Sequence, residues 1–386
     1  MAFCILACLL CTFTEIIVAS SPRHVRDQVL SVKPQSDEEI QFIKQIFNQY
    51  EAALWQPSSV DNIKINKEVH LYFNASNVEE VKTQLATSTI AFRVLIEDVL
   101  QLITKQKHTN VPFTPHGFSS YYEMYHPLEE IYLWMSQITK AYPSIIQKIL
   151  IGSSSEKRLI YVLKVFNGTA SPKGALWIDC GIHAREWIAP AFCQWFLQYD
   201  RFWRKNLSKH KGGHCVGTDL NRNWDANWCG PGASSDPCSE TYCGRYPESE
   251  PEVKAVAAFI RKRSNHIISY ISIHSYSQMV MFPYSYKLSR SKDHDELNYV
   301  AWKAVTAVRS VHGTSYSYGN SAKAIYLSSG CSDDWAYDLG IKYSFTFELR
   351  DTGTYGFLLP PSFIKPTCEE ATAAVSEILH HIVQRI

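Results

Sequence analysis

Four side chains at the ends of apolar runs are the residues of this chain best suited to chemistry. They are His183 and Glu186 after the run 175–180, His274 after the run 267–273, and Glu348 after the run 341–347. Two imidazoles and one carboxylate, with an open position for water, are typical of a catalytic zinc site. A second carboxylate that does not bind the metal can act as general base. The set therefore predicts one Zn²⁺ ion and metal-assisted hydrolysis.

The placement of these residues at the ends of apolar runs is stronger evidence for a shared site than their spacing in the sequence. In open α/β sheets, ligands gather beyond the carboxyl ends of the strands, and each apolar run has the character of a strand. The His-x-x-Glu spacing alone is weak, because His126 and Glu129 repeat it where no strand precedes them. A serine hydrolase is disfavoured because the chain has no Gly-x-Ser-x-Gly motif.

Five motifs around these residues occur in an order that resembles the zinc carboxypeptidases of the A/B type. They are GIHAREWI at 181–188, DLNRNW at 219–224, PCSETY at 237–242, SIHSY at 272–276 and FELRDTG at 347–353. The resemblance runs from about Tyr121 to Ile386. It implies a secreted enzyme that is made as a zymogen and removes a residue from the carboxyl end of peptides and proteins.

The resemblance also implies a role for each residue of the site. His183, Glu186 and His274 would be the zinc ligands, and Glu348 the base that activates the metal-bound water. Arg204 would stabilise the oxyanion that forms when water attacks the peptide carbonyl.

A second group of residues would bind the substrate. By the same resemblance, Asn221 and Arg222 grip its terminal carboxylate, for which a guanidinium fork is well suited. Tyr326 closes over the bound residue, and Arg185 makes a secondary contact. Asp333 matches the position that contacts the C-terminal side chain, where an acid selects Lys or Arg. A surface Asp that caps a turn is the alternative for Asp333.

Eleven cysteines are many for a cytosolic protein of 386 residues. The resemblance implies three disulfides, Cys180–Cys193, Cys215–Cys238 and Cys229–Cys243. Cys331 and Cys368 are left unassigned, and Cys331 replaces a glycine that is common in the family.

The N-terminal third predicts a small α/β domain with the order β-α-β-α-β-α. Strands are expected at 28–32, 70–73 and 90–94, and helices at 37–50, 77–85 and 97–103, the first capped by Ser36. This domain resembles the family's inhibitory activation segment. The overall prediction is an α/β fold in which this domain precedes a carboxypeptidase-type domain with a central mixed sheet flanked by helices.

Three signals together predict a secreted, extracellular protein. An apolar run at 1–13 with small residues at 18–20 resembles a signal peptide, and a buried N-terminal helix is the alternative. Sequons for glycosylation occur at Asn74, Asn167 and Asn206, and the cysteines favour an oxidising compartment. The net charge of +1 gives no bulk reason to bind nucleic acid or an anionic membrane. No internal apolar stretch is long enough to span a membrane.

The resemblance breaks between His183 and Arg204, where only 20 residues separate His183 from Trp203. Relatives have a longer interval that holds the rest of a helix, an interior strand and a loop. Losing an interior strand leaves backbone groups on its neighbours without partners. A shortened protein with impaired or absent catalysis, acting at most as a binding protein, is therefore the alternative function.

The division of the chain follows from these features. We predict a signal peptide at 1–21, an activation segment at 22–114 and the zinc carboxypeptidase domain at 115–386. The stretch 115–120 lacks the arginine after which a trypsin-like protease activates relatives, so Lys107 or Lys105 is the predicted cleavage site. The expected partners are this protease and substrates that end in Lys or Arg.

Overall fold

The computed structural model of the chain describes residues 3–8, 26–50, 52–106, 120–165, 174–194, 204–210 and 215–385. The chain divides into two compact units. The larger unit comprises Met1–Phe13, Thr109–Arg350 and Pro361–Ile386, and the smaller unit comprises Thr14–His108 and Asp351–Pro360.

Twelve strands and ten α-helices form the described part of the chain. In chain order they are β1 (Phe3–Cys8), β2 (Gln28–Val32), α1 (Asp37–Gln49), β3 (Ala53–Gln56), β4 (Val69–Phe73), α2 (Val78–Thr87), β5 (Phe92–Ile96), α3 (Val99–Gln106), α4 (Leu128–Ala141), β6 (Ile146–Ser153), β7 (Leu159–Val165), β8 (Ala175–Cys180), α5 (Ile188–Gln194), α6 (Pro251–Arg261), β9 (Ile267–His274), β10 (Met279–Phe282), α7 (His294–His312), β11 (Ser317–Asn320), α8 (Ser321–Ala324), α9 (Ser332–Asp338), β12 (Tyr343–Glu348) and α10 (Ile364–Val383). In these described residues, no helix is both long and apolar enough to cross a bilayer.

The smaller unit is an antiparallel sheet of four strands in the order β3-β4-β2-β5 with three helices. The predicted helix start is confirmed, because the Ser36 hydroxyl accepts a hydrogen bond from the Glu39 amide at 3.3 Å. Helix α1 then buries Ile40, Ile43 and Ile46, which recur at helical spacing. The sequence prediction missed β3, and it placed the last strand two residues too early.

The larger unit contains a mixed sheet of eight strands in the order β11-β10-β12-β9-β8-β1-β7-β6. The three strands that carry the predicted site, β8, β9 and β12, are adjacent and parallel. Every residue of β8 is buried, as expected for a strand covered on both faces. Trp177, Tyr270 and Trp224 belong to one core cluster packed against this part of the sheet. The carboxyl ends of the three strands therefore lie side by side.

Strand β1 fills an interior position of this sheet, between β7 and β8. It runs parallel to β8, with Phe3 opposite Ala175 and Cys8 opposite Cys180, and antiparallel to β7. The N-terminal run thus forms a strand here and not the buried helix that was the alternative, while the signal peptide stays a prediction. Without β1, the facing backbone groups of β7 and β8 would lack ladder partners. The junction of the shortened interval, 195–203, lies outside the described residues.

Gly330 lies on the turn before α9, and its replacement by alanine should destabilise the larger unit strongly. Its φ is +74°, and a Cβ atom there would lie 2.3 Å from the carbonyl oxygen of Arg222. Gly313 is a matched control, because its φ is +75° and no described atom lies within 4 Å of such a Cβ. We expect Gly313→Ala to cost about 1 kcal/mol and Gly330→Ala at least about 3 kcal/mol, measured by denaturant unfolding. Equal losses would show that the close contact has no effect.

Candidate active site

The structure brings His183, Glu186 and His274 together at the carboxyl ends of β8 and β9. The Nδ1 atoms of the two histidines lie 3.2 Å apart. Glu186 Oε1 lies 2.8 Å from the Nδ1 atom of His183, and Glu186 Oε2 lies 2.8 Å from the Nδ1 atom of His274. All three side chains are buried, and their candidate ligand atoms lie within 4.8 Å of one another. Residues separated by 91 positions in the chain thus converge on one point.

The remaining nitrogen of each histidine has a partner that orients the ring. Asp219 Oδ1 lies 3.0 Å from His183 Nε2, and Ser272 Oγ lies 3.1 Å from His274 Nε2. Hydrogen bonds of this kind fix the tautomer of a metal-binding imidazole and direct its other nitrogen to the ion. Sequence reasoning assigned no role to either partner, although Asp219 and Ser272 each begin one of the quoted motifs.

The chemistry of this donor set fits zinc. Two nitrogens and a carboxylate are its preferred ligands, and tetrahedral bonds of 2.0–2.1 Å place neighbouring ligand atoms about 3.3 Å apart. The Nδ1 atoms lie close to that separation. Glu348 lies beside them at the end of β12 and is half-buried; its Oε2 atom is buried and has no hydrogen-bond partner among the described residues. This carboxylate is therefore placed to exchange a proton next to the ion.

The two glutamates of the site differ in electrostatic surroundings. Burial opposes ionisation of Glu186, but the charges of His183 and His274 outweigh burial and lower its pKa. Burial raises the pKa of Glu348 to about 8, and the Glu186 carboxylate acts in the same direction. A cation bound nearby lowers the pKa of such a carboxyl. One glutamate is thus suited to bind a cation and the other to take up a proton near neutral pH.

Asp219 also holds the arginines of the site in place. Its Oδ2 atom accepts hydrogen bonds from Arg204 Nη2 at 2.7 Å and Arg204 Nε at 2.9 Å, and Arg222 Nη1 lies 3.9 Å away. Burial would raise the pKa of Asp219, but Arg204 and Arg222 outweigh burial and hold that pKa well below its usual range. One buried anion therefore positions both guanidinium groups and a metal ligand.

A cavity beside the metal ligands holds nearly all of the predicted substrate-binding residues. It is lined by Arg204, Asn221, Arg222, Tyr326, Asp333 and Glu348, together with His183, Glu186 and His274. Arg185 is buried and is absent from this lining, so its predicted substrate contact stays a prediction. Met281, Ser285, Ile325 and Thr346 also line the cavity, and sequence reasoning did not select them.

Asp333 and Asp334 are adjacent on α9, and only Asp333 lines the cavity. Asp334 accepts hydrogen bonds from the backbone amides of Ser285 and Tyr286 at 2.9–3.2 Å, which is a structural role. Asp333 receives a long contact of 3.5 Å from the Ser285 hydroxyl, and burial raises its pKa. Hydrogen bonds from Thr346 and from the backbone of Asp333 and Asp334 lower this pKa, but no described Lys or Arg pairs with the carboxylate, so it is well suited to bind a cationic ligand.

Cys331 lies in the same cavity as a free, buried thiol. Its Sγ atom lies 3.1 Å from Ser328 Oγ and 3.8 Å from Arg222 Nη1. Burial raises the pKa of Cys331 to about 12, so the thiol is neutral at physiological pH. The loop accommodates this residue, and α9 begins directly after it.

The three predicted disulfides are all present in the structure. Cys180–Cys193 joins the end of β8 to α5, and the other two, Cys215–Cys238 and Cys229–Cys243, lie within the segment 215–243. The first bond closes the loop that carries His183, and the Cys215–Cys238 bond closes the loop that carries Asn221 and Arg222.

One predicted glycosylation site is wrong. Asn206 is fully buried, and its Nδ2 atom donates to Glu250 at 2.7 Å and to Glu252 at 3.1 Å. A glycan on that nitrogen is incompatible with these bonds. Asn74 is exposed, so it remains a predicted site, and Asn167 lies outside the described residues.

Family models match both parts of the chain. A model described as zinc carboxypeptidase matches residues 131–199 and 197–374, and one described as carboxypeptidase activation peptide matches residues 30–106. The two stretches of the first match meet in the interval where the sequence predicts a missing segment.

Individual relatives are similar over nearly the whole chain. Carboxypeptidase B2 from Bos taurus is 50% identical over 400 positions, covering 94% of each chain, and carboxypeptidase B from Homo sapiens is 40% identical, covering 93% of this chain and 94% of the relative. The crystal structure of thrombin activatable fibrinolysis inhibitor matches with a TM-score of 0.90 and 50% identity, covering 94% of this chain and all of the other. The 400-position alignment is longer than the chain of 386 residues, so the bovine relative has residues that this chain lacks.

Proposed function

Since this chain belongs to the zinc carboxypeptidase family and carries that family's activation peptide, we propose that it is the zymogen of an enzyme that removes C-terminal Lys or Arg. The observation that supports this specificity is the buried Asp333 carboxylate in the cavity beside the metal ligands. A cationic side chain would pair with it, whereas an apolar one would leave the buried carboxylate without a counter-charge. The 50% identity to carboxypeptidase B2 points to the same substrates.

The proposed mechanism assigns each step to a residue of this chain. His183, Glu186 and His274 would hold the zinc ion, which when bound would supply Lewis acidity and lower the pKa of a water beside it. Glu348 accepts the proton of the attacking water and delivers it to the leaving amine. Arg204, held by Asp219, offers its guanidinium to the developing oxyanion.

The substrate is aligned through its terminal carboxylate. Arg222 lines the cavity and is fixed by hydrogen bonds to the carbonyls of Asn221 at 2.8 Å and Gly232 at 3.0 Å. The Asn221 amide oxygen accepts a hydrogen bond from the Ser332 backbone at 2.9 Å, which leaves its Nδ2 group as the end that can donate to a carboxylate. Two fixed donors next to the metal would select the last residue of a peptide over an internal one.

Paired substrates test this proposal. After limited trypsin treatment and with zinc present, we expect a peptide ending in Arg to be hydrolysed at least about 10²-fold more efficiently than the same peptide ending in Phe. A zinc chelator should abolish both activities, and added zinc should restore them. A preference for Phe would reject the role of Asp333, and activity that survives chelation would reject the metal mechanism.

We infer that activation requires a trypsin-like protease that cuts after Lys105 or Lys107. The activation-peptide match ends at residue 106, which supports a cut at this boundary, and Lys107 lies outside the described residues.

Mass spectrometry of the trypsin-treated zymogen locates the cut. Activity that appears without cleavage after either lysine would contradict this inference.

We also propose that the protein is secreted and limits fibrinolysis. The three disulfides and the exposed sequon at Asn74 are consistent with an extracellular compartment. The proposed effect on fibrinolysis rests on the similarity to the structure named thrombin activatable fibrinolysis inhibitor. The activated protein should lengthen the lysis time of a plasma clot, and the Glu348→Gln variant should not.

A catalytically impaired protein is the second candidate, and strand β1 is the observation that favours it. This strand belongs to the segment predicted to be a signal peptide, so removing that segment would leave β7 and β8 without their shared neighbour. The N-terminal sequence of the secreted protein shows whether β1 is retained. A protein that starts near Ser21, unfolds without cooperativity and binds no zinc would support this candidate over the enzyme.

A further inference from the structure

Asp179 is a buried acid to which neither the mechanism nor the substrate contacts assign a role. It lies on β8, is 1% exposed and belongs to the interior of the sheet. Burying a carboxylate costs several kcal/mol unless hydrogen bonds and nearby charges compensate. Its position therefore calls for a function that an apolar residue could not perform.

Two donors compensate the carboxylate, one at each oxygen. The Ser272 hydroxyl lies 2.6 Å from Asp179 Oδ1, and the indole Nε1 of Trp177 donates to Oδ2 at 2.9 Å. Burial raises the pKa of Asp179, and the side chains of Ser272, Tyr270 and Trp177 act in the opposite direction. An indole N–H can only donate, so this arrangement suits a carboxylate that accepts at both oxygens.

The sheet itself connects Asp179 to the metal ligand. Asp179 and Ser272 are directly opposite each other in the parallel pairing of β8 and β9. Ser272 and His274 are two residues apart on β9, so their side chains project from the same face of the sheet. The contact of 3.1 Å between Ser272 Oγ and His274 Nε2 completes a chain of three polar groups.

The groups at the two ends of this series of three polar groups determine where its protons lie. A serine hydroxyl has one proton, and when it donates that proton to Asp179 its oxygen accepts the Nε2 proton of His274. The Nδ1 atom of His274 then keeps its lone pair and faces Glu186 and His183. We propose that Asp179 is a positioning residue for His274, acting through Ser272 to hold the imidazole in its metal-binding tautomer. This inference rests on zinc binding by His183, Glu186 and His274.

Zinc affinity measured on the full chain tests the proposal. We expect Ser272→Ala and Asp179→Asn each to raise the zinc dissociation constant about 10- to 100-fold, measured against a chromophoric chelator. Because both residues act through the same series of hydrogen bonds, the double variant should lose little more zinc affinity than either single variant. The visible absorption spectrum of the Co²⁺-loaded protein should also change in each variant.

Ser269→Ala is the matched control, since Ser269 is a buried serine of the same strand whose hydroxyl bonds to the Tyr343 carbonyl at 2.9 Å. It should leave zinc affinity and the Co²⁺ spectrum unchanged. The proposal would be overturned by a zinc dissociation constant of Ser272→Ala within twofold of the parent value, or by an equal loss of zinc affinity in Ser269→Ala. If Asp179→Asn fails to fold, the zinc affinity of Ser272→Ala alone tests the proposal. The parent chain is measured first, because absent zinc binding there contradicts the metal site itself.

Discussion

The Glu348→Gln variant should lose at least about 10³-fold in kcat while it retains its zinc. An amide has nearly the shape of the carboxylate but cannot accept the water proton, and general-base catalysis contributes about 10²- to 10⁴-fold. Glu348 lies beside the metal ligands at the end of β12 and is not one of the three that converge. The measurement combines single-turnover kinetics on a peptide ending in Arg with zinc content by atomic absorption.

Glu377→Gln serves as the control for this variant. Glu377 is partly exposed and pairs with Lys303 on the neighbouring helix, so the same substitution there should leave kcat unchanged. A Glu348→Gln protein with zinc bound and more than about a tenth of the parent activity would exclude Glu348 as the base. Loss of zinc together with activity would instead place Glu348 among the ligands.

The Asp333→Asn variant should lose its preference for basic residues. The substitution keeps the size of the side chain and removes its charge, so a bound Lys or Arg would be buried without a counter-charge. Leaving a buried charge unpaired costs about 3–5 kcal/mol, so kcat/KM for the Arg substrate should fall by about 10²- to 10⁴-fold. The Phe substrate brings no charge into the cavity, so its kcat/KM should rise or stay unchanged.

Asp338→Asn is the control for Asp333, because Asp338 ends the same helix, is exposed and accepts a hydrogen bond from Tyr284. Its Arg-to-Phe ratio should equal that of the parent. Asp334 is unsuitable as a control, since its carboxylate accepts backbone amides and its loss would disturb the loop. An Arg-to-Phe ratio that survives in Asp333→Asn would contradict the proposed specificity.

Much of the fold was predictable because it depends on local periodicity. The strands that carry His183, His274 and Glu348 are apolar runs flanked by polar residues, and the structure forms them where expected. Strand β3 was missed because a four-residue strand has too few residues to show an alternating pattern. Strand β1 was not predicted because an apolar run at the start of a chain has the composition of a signal peptide, and that interpretation stays a prediction.

The residue types of the site, their order and the family of the chain follow from the amino-acid sequence alone, because motifs and strand periodicity are properties of short segments. The neighbours of these residues follow only from the folded chain. It separated Asp333 from Asp334, buried Asn206, and placed Asp219 and Ser272 behind the two histidines. The physical reason is that hydrogen bonding and burial depend on strands and loops that are far apart in the chain and meet only when the sheet assembles.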